Sequence, residues 1–143
     1  MAVGYCRAVV SLAVSPRADE VFVVVQSYNQ SQTRSAEVLV STAKGEWMPT
    51  GLAELGDVMM SSDHFTGERL AVDPHQPDLV LLGTQQNGTF YRRHDGAWKR
   101  AVGLPTESAA PGVTFATFAD EPGRAFAGVT GHGIAESTDH GAT

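Results

Sequence analysis

The chain is poor in cysteine, in basic clusters and in long apolar runs, and each shortage narrows its function. Cys6 is the single cysteine, so neither an internal disulfide framework nor a cysteine-based metal site can form. Lys and Arg number 10 against 16 Asp and Glu, for a net charge of −6. With no basic block, nucleic acid is excluded as an expected partner, because phosphate binding needs clustered cations. No stretch approaches the roughly 18 apolar residues of a membrane helix, so no membrane partner is expected. The short run Ala8–Ser15 lacks a preceding basic cluster and a small-residue cleavage site. It reads as a strand rather than a leader, and no signal peptide is visible in this chain. Charged residues are scarce at 18%, yet 42% of residues are hydrophobic, which is a globular and not a disordered composition. A neutral ligand such as a sugar suits this balance.

Helical periodicity is also almost absent. The apolar runs are short, rich in Val, Phe, Leu and Thr, and bounded by Gly, Pro, Asn and Asp, the pattern of many short strands. They repeat. Leu12-Ala13-Val14-Ser15-Pro16 returns as Leu70-Ala71-Val72-Asp73-Pro74 and, more loosely, as Phe115–Asp120. A polar turn and a second apolar run follow each copy: Val21–Val25, Leu79–Leu82 and Ala125–Val129. A third strand then leads into a glycine turn. The spacing, about 45 to 58 residues, suits a four-stranded propeller blade with loops. The expected fold is all-β: a partial β-propeller of about three four-stranded blades, near 8–50, 66–102 and 112–143, the last incomplete. All 143 residues then form one incomplete propeller domain of about eleven strands.

The glycine turns share a pattern. The third, Ser137-Thr138-Asp139-His140-Gly141-Ala142-Thr143, matches the Asp-box of neuraminidase-type repeats, Ser-x-Asp-x-Gly-x-x-Trp. The first carries Ser41, Gly45 and Trp47; the second carries Gly96 and Trp98. Both are one residue shorter before the Trp. Ala43 and His94 stand at the Asp position, and Arg92 at the Ser position. Short hydroxyl and carboxylate side chains serve the backbone groups of a tight hairpin, Gly permits a positive φ, and Trp packs a large ring between sheets. This is a folding device. The third turn stops one residue before its expected Trp, so the chain is expected to be a truncated piece of a longer propeller. Closure usually takes about 4 to 8 blades, so the remaining blades, or self-association, are expected to cover the open edges.

The central segment resembles a known family. Gly67-Glu68-Arg69-Leu70-Ala71-Val72-Asp73-Pro74 and Leu82-Gly83-Thr84-Gln85-Gln86-Asn87-Gly88 are similar to stretches of the glycoside hydrolase family 74 xyloglucanases. The likeness is ordinary outside residues 67–90. It implies an extracellular polysaccharide hydrolase that cleaves β-1,4-glucan with inversion, using two carboxylates set apart to admit a water. Neither of the family's catalytic motifs occurs here, so the resemblance implies cleft-wall or structural blades with no catalytic residue of their own and a β-glucan partner. A non-catalytic propeller used as an interaction module, of the sortilin or assembly-factor kind, is the competing reading. A sialidase-type enzyme would need an arginine triad, and the arginines show no such arrangement.

Propeller ligands bind at the end opposite the glycine turns. The candidate substrate-binding residues are therefore Tyr28, Asn29, Asp63, His64, Glu68, Gln85, Gln86, Asn87 and His132. Tyr28 offers a stacking face for a sugar; Asn29 and Gln85–Asn87 offer hydrogen bonds to hydroxyls. Asp63, His64 and Glu68 form the most acid–base-like cluster. His132 and His140 lack metal-ligand spacing, and no metal or cofactor is expected. Asp73, before a proline at a strand end, reads as structural, and Trp47 and Trp98 read as packing between sheets.

Overall fold

The computed structural model describes residues 6–16, 19–28, 34–41, 44–52, 69–84, 90–94, 96–104, 113–129 and 131–143. Among them are eleven strands and no helix: β1 (Cys6–Val14), β2 (Val21–Tyr28), β3 (Arg34–Ser41), β4 (Trp47–Pro49), β5 (Leu70–Val72), β6 (Val80–Gly83), β7 (Phe90–His94), β8 (Ala97–Arg100), β9 (Val113–Phe118), β10 (Ala125–Val129) and β11 (Gly133–Ser137). They form three antiparallel meanders, β1–β4, β5–β8 and β9–β11, here called sheets 1, 2 and 3. Strands next in sequence are next in space, as the repeats require.

The middle sheet shows why the repeats stack. Residues 79–82 form a continuous apolar run, the pattern of a strand buried on both faces. Because side chains alternate across a strand, Val80 and Leu82 point into a core shared with Phe22, Val24, Val38 and Val40 of sheet 1. Leu79 and Leu81 point the other way, into a core with Ala116, Ala125 and Ala127 of sheet 3. Sheet 2 thus lies between its neighbours. A bulge at Val9/Ser11 in β1 adds a polar tie: Ser11 Oγ accepts from the backbone N–H groups of Arg69 and Leu70, each at 3.2 Å.

The two tryptophans part company. Trp98, the second residue of the outer strand β8, lies opposite Arg93, packs on the sheet 1–sheet 2 core and donates its indole N–H to Thr50 Oγ1 at 3.0 Å. Thr50 in turn follows β4 and bonds the Val38 carbonyl through both its N–H and its hydroxyl. Trp47, expected to pack between sheets, is instead 49% exposed. Its partner is Ser41, which puts it on the face of sheet 1 turned away from sheet 2, the face on which Leu12 and Val14 of β1 are also exposed; no described residue covers it there. Trp98→Ala should therefore cost about 2–4 kcal/mol, and Trp47→Ala less than about 1 kcal/mol. Chemical denaturation of the two variants checks this; equal losses would contradict the placement.

The register also shifts one assignment of the second turn. Trp47 faces Ser41, but Trp98 faces Arg93 and not Arg92. The second turn is one residue tighter than the motif alignment predicts, and Arg93 occupies the serine's structural position. Its guanidinium lies 5.4 Å from the Phe22 ring centre, where it can make a cation–π contact.

Candidate functional site

The meander order gives the molecule two ends. The glycine turns after β3, β7 and β11 lie at one end, with the hairpins 15–20, 73–79 and 119–124. The last residues of β2, β6 and β10 lie at the other. Of the candidate binding residues, Tyr28 closes β2 at this second end, its backbone opposite Cys6 and Arg34. His132 sits in the exposed turn between β10 and β11, where its N–H donates to the Val129 carbonyl at 3.0 Å. Asn29, Asp63, His64, Glu68, Gln85, Gln86 and Asn87 lie outside the described residues. Beneath this end sit three buried polar residues, Gln26, Arg69 and Thr84, none of them without a partner. The Arg69 carbonyl accepts from Gly83 N–H at 2.8 Å. No sequence pattern singles these three residues out as buried.

At the first end, the Ser137–Thr143 turn is closed by its own side chains. The Asp139 carboxylate accepts four hydrogen bonds: from Ser137 Oγ (2.7 Å), Ala142 N–H (3.1 Å), Thr143 N–H (2.9 Å) and Thr143 Oγ1 (2.7 Å). Ser137 Oγ accepts from Gly141 N–H at 2.9 Å. The Ser137 hydroxyl first, then the Thr143 hydroxyl and N–H, hold the Asp139 carboxyl well below the usual carboxylate range. A carboxylate so saturated is a poor proton acceptor, and here its bonds close the turn. The first turn uses its serine differently: Ser41 Oγ accepts from Val21 N–H at 3.1 Å, tying the turn to β2. Gly45, Gly96 and Gly141 all have φ of +76°, a region glycine enters without penalty.

The third turn also reaches across to sheet 2. His140, itself at φ +60°, places Nδ1 3.0 Å from Asp73 Oδ2 and Nε2 3.2 Å from Gln76 Nε2. A neutral ring satisfies both contacts by donating from Nδ1 and accepting at Nε2. Asp73 is 1% exposed, and its Oδ1 accepts from the N–H groups of His75 (2.7 Å) and Gln76 (3.1 Å). His75 Nε2 also bonds the Asp120 carbonyl. An Asp–His pair can activate a nucleophile, but here the far ring nitrogen meets an amide, so the geometry serves cohesion. No sequence pattern signals this link, since Asp73 and His140 are 67 positions apart.

The exposed carboxylates on sheet 3 are engaged as well. Arg124 pairs with Glu136 at 2.7 Å and Glu121 at 3.3 Å. Among the described residues no group of His, Cys, Asp and Glu could hold a metal ion, and no helix is long and apolar enough to cross a membrane.

No family model matches the chain, and no curated protein does. Among solved structures, the chain is similar to the crystal structure of a GH74 enzyme from Niastella koreensis. The match has 23% sequence identity and a TM-score of 0.63, and covers 94% of this chain and 22% of that one. The chain thus spans about a fifth of the length of the structure it matches. Likeness at that identity speaks to architecture: the chain has an all-β fold similar to a GH74 propeller.

Proposed function

We propose that this chain is a propeller segment of a polysaccharide hydrolase of the GH74 type. In this reading it builds part of the wall of a glucan-binding cleft and leaves the catalytic carboxylates to other parts of the parent protein. The carrying observation is the structural likeness along nearly the whole chain to a GH74 enzyme; the run at residues 67–90 supports it. The glycine turns act as Asp-boxes, complete at Ser137–Gly141 and degraded in the first two, where Ala43, His94 and Arg92 replace motif residues. Substrate is met at the opposite end, where Tyr28 stacks on a sugar ring while Asn29, Gln85, Gln86, Asn87 and His132 bond hydroxyls. Inversion needs two carboxylates roughly 6.5–9.5 Å apart around a water. At the glycine-turn end, Asp139 and Asp73 are both consumed by hydrogen bonds, which fits a supporting role.

The test is titration of the isotope-labelled chain with a xyloglucan oligosaccharide, followed by amide NMR. Shifts should cluster at Tyr28, His132 and the 85–87 segment, spare Asp139–Thr143, and come with no release of reducing sugar. Shifts confined to the Asp139 turn, or no binding at all, would favour a non-catalytic interaction module. Turnover abolished by Asp63→Ala or Glu68→Ala would overturn the assignment of this segment as non-catalytic.

A further inference from the structure

Pairing register builds a basic patch from residues that the sequence keeps apart. Four of the ten Lys and Arg residues form two doublets, Arg92-Arg93 and Lys99-Arg100. The β7–β8 hairpin folds one doublet back on the other: Arg92 pairs with Lys99, Arg93 with Trp98, and Tyr91 with Arg100. Asp95 is the one acid in residues 92–100. Like charges directly opposite on paired strands repel, so Arg92 and Lys99 weaken the hairpin that carries them. Among the described residues, no carboxylate pairs with Arg93, Lys99 or Arg100, whereas Arg124 on sheet 3 holds both Glu121 and Glu136.

The repeat does not ask for these cations. With Trp47 set level with Trp98, Val40 and Ser41 of sheet 1 stand at the positions of Arg92 and Arg93, and Met48 and Pro49 at those of Lys99 and Arg100. In sheet 3, Glu136 and Ser137 take the places of Arg92 and Arg93. Of these three equivalent hairpins, the second alone is basic. It also lies in the open. The strand β8 is the outer strand of sheet 2, and Lys99 and Arg100 are both exposed. Met48, the counterpart of Lys99 on sheet 1, is 48% exposed although sheet 2 packs against that face. This rim position therefore stays open where two four-stranded sheets meet.

We propose that the β7–β8 hairpin is a docking site for an acidic polysaccharide, whose uronate carboxylates pair with Lys99 and Arg100. Arg92 and Arg93 add their charge from the opposite strand, and a bound carboxylate offsets the repulsion between Arg92 and Lys99. The patch selects this partner over other polyanions. Single-stranded nucleic acid needs a free aromatic face for its bases, but Trp98 is packed on the core with its N–H given to Thr50. An edge that carries lysine and arginine disfavours a pairing peptide strand, and a flexible acidic peptide loses more freedom on binding than a stiff sugar chain. The ligand is charged and its site is on the rim, so this inference goes beyond the neutral-glucan reading and does not rest on it.

The test uses the full 143-residue chain and a fluorescein-labelled oligogalacturonate, followed by anisotropy at low salt. The probe should bind saturably and weaken as salt rises. Lys99→Gln combined with Arg100→Gln should weaken binding at least about fivefold, the combined effect of two exposed charge pairs, and flatten the salt dependence. Lys44→Gln, which removes a cation from the first glycine turn, should leave binding unchanged. Urea midpoints no lower than that of the parent chain confirm that these surface variants fold. A neutral xyloglucan oligosaccharide should not displace the probe, whether or not it binds at the opposite end. No binding, equal affinity of the double variant, or displacement by xyloglucan would overturn the proposal. So would polyglutamate or a single-stranded oligonucleotide of matched charge binding as tightly as the oligogalacturonate.

Discussion

Replacing Gly141 with alanine should lower stability by about 3 kcal/mol, whereas the same change at Gly45 should cost only about 1 kcal/mol. The two glycines share a φ of +76°, so each variant bears the roughly 1–2 kcal/mol penalty of a left-handed conformation with a Cβ. Their surroundings differ. A Cβ at Gly45 meets nothing within 4 Å, but at Gly141 it would stand 2.5 Å from Leu81 Cδ2 and 3.0 Å from Cδ1. Leu81 is 0% exposed and held in the core between sheets 2 and 3, so it has no free direction in which to yield. Overpacking of that kind adds about 1–3 kcal/mol. Urea midpoints at constant slope measure both variants. Equal losses would mean that Gly141 is kept only for its backbone angle and that the turn does not rest on sheet 2.

Loss of the Asp73 carboxylate should be as severe. Asp73→Ala removes the acceptor for three donors at once, the N–H groups of His75 and Gln76 and the His140 ring, at a site with 1% exposure. Bonds to a charged acceptor contribute about 1.5–3 kcal/mol each, and buried donors left without one are costly; solvent reaching the partly exposed His140 limits the total to about 3 kcal/mol. Asp73→Asn keeps an oxygen for the two backbone donors but sets an amide against His140, and should cost about half as much. His140→Ala should cost about 1–2 kcal/mol, and the double variant should fall short of the summed losses by at least about 0.5 kcal/mol, the coupling expected of residues in contact. Strict additivity would show that the two residues do not meet.

These two sites mark where sequence reading stops. The strands of sheet 2 were legible because period and composition report burial: four consecutive apolar residues at 79–82 can only lie between two layers. The glycine turns were legible because a positive φ is written as Gly45, Gly96 and Gly141. The one-residue difference at Arg93 was not, since pairing register depends on turn geometry that composition does not carry. Trp47 was expected between sheets from its place in the turn motif, but its face is turned from sheet 2 and no described residue lies over it. The Asp73–His140–Gln76 link was hidden for another reason: it joins residues far apart in the chain, and each has an unremarkable local setting, a strand end, a turn and a loop. Asp139 was legible as a turn residue, and its four hydrogen bonds lie within that turn. At the proposed glucan-binding end, the topology shows Tyr28 and His132 at strand termini, while Asn29, Asp63, His64, Glu68 and Gln85–Asn87 lie outside the described residues.

The sheets stack in chain order, with the third glycine turn resting on sheet 2. A single proton–proton contact tests it most directly. Nuclear Overhauser spectroscopy on the methyl-labelled chain should show a strong cross-peak between Gly141 Hα and a Leu81 δ-methyl group, because the side-chain space at Gly141 is filled by that methyl. Absence of this cross-peak, with the intra-sheet contacts of β6 and β10 intact, would contradict the stacking and with it the likeness to a propeller.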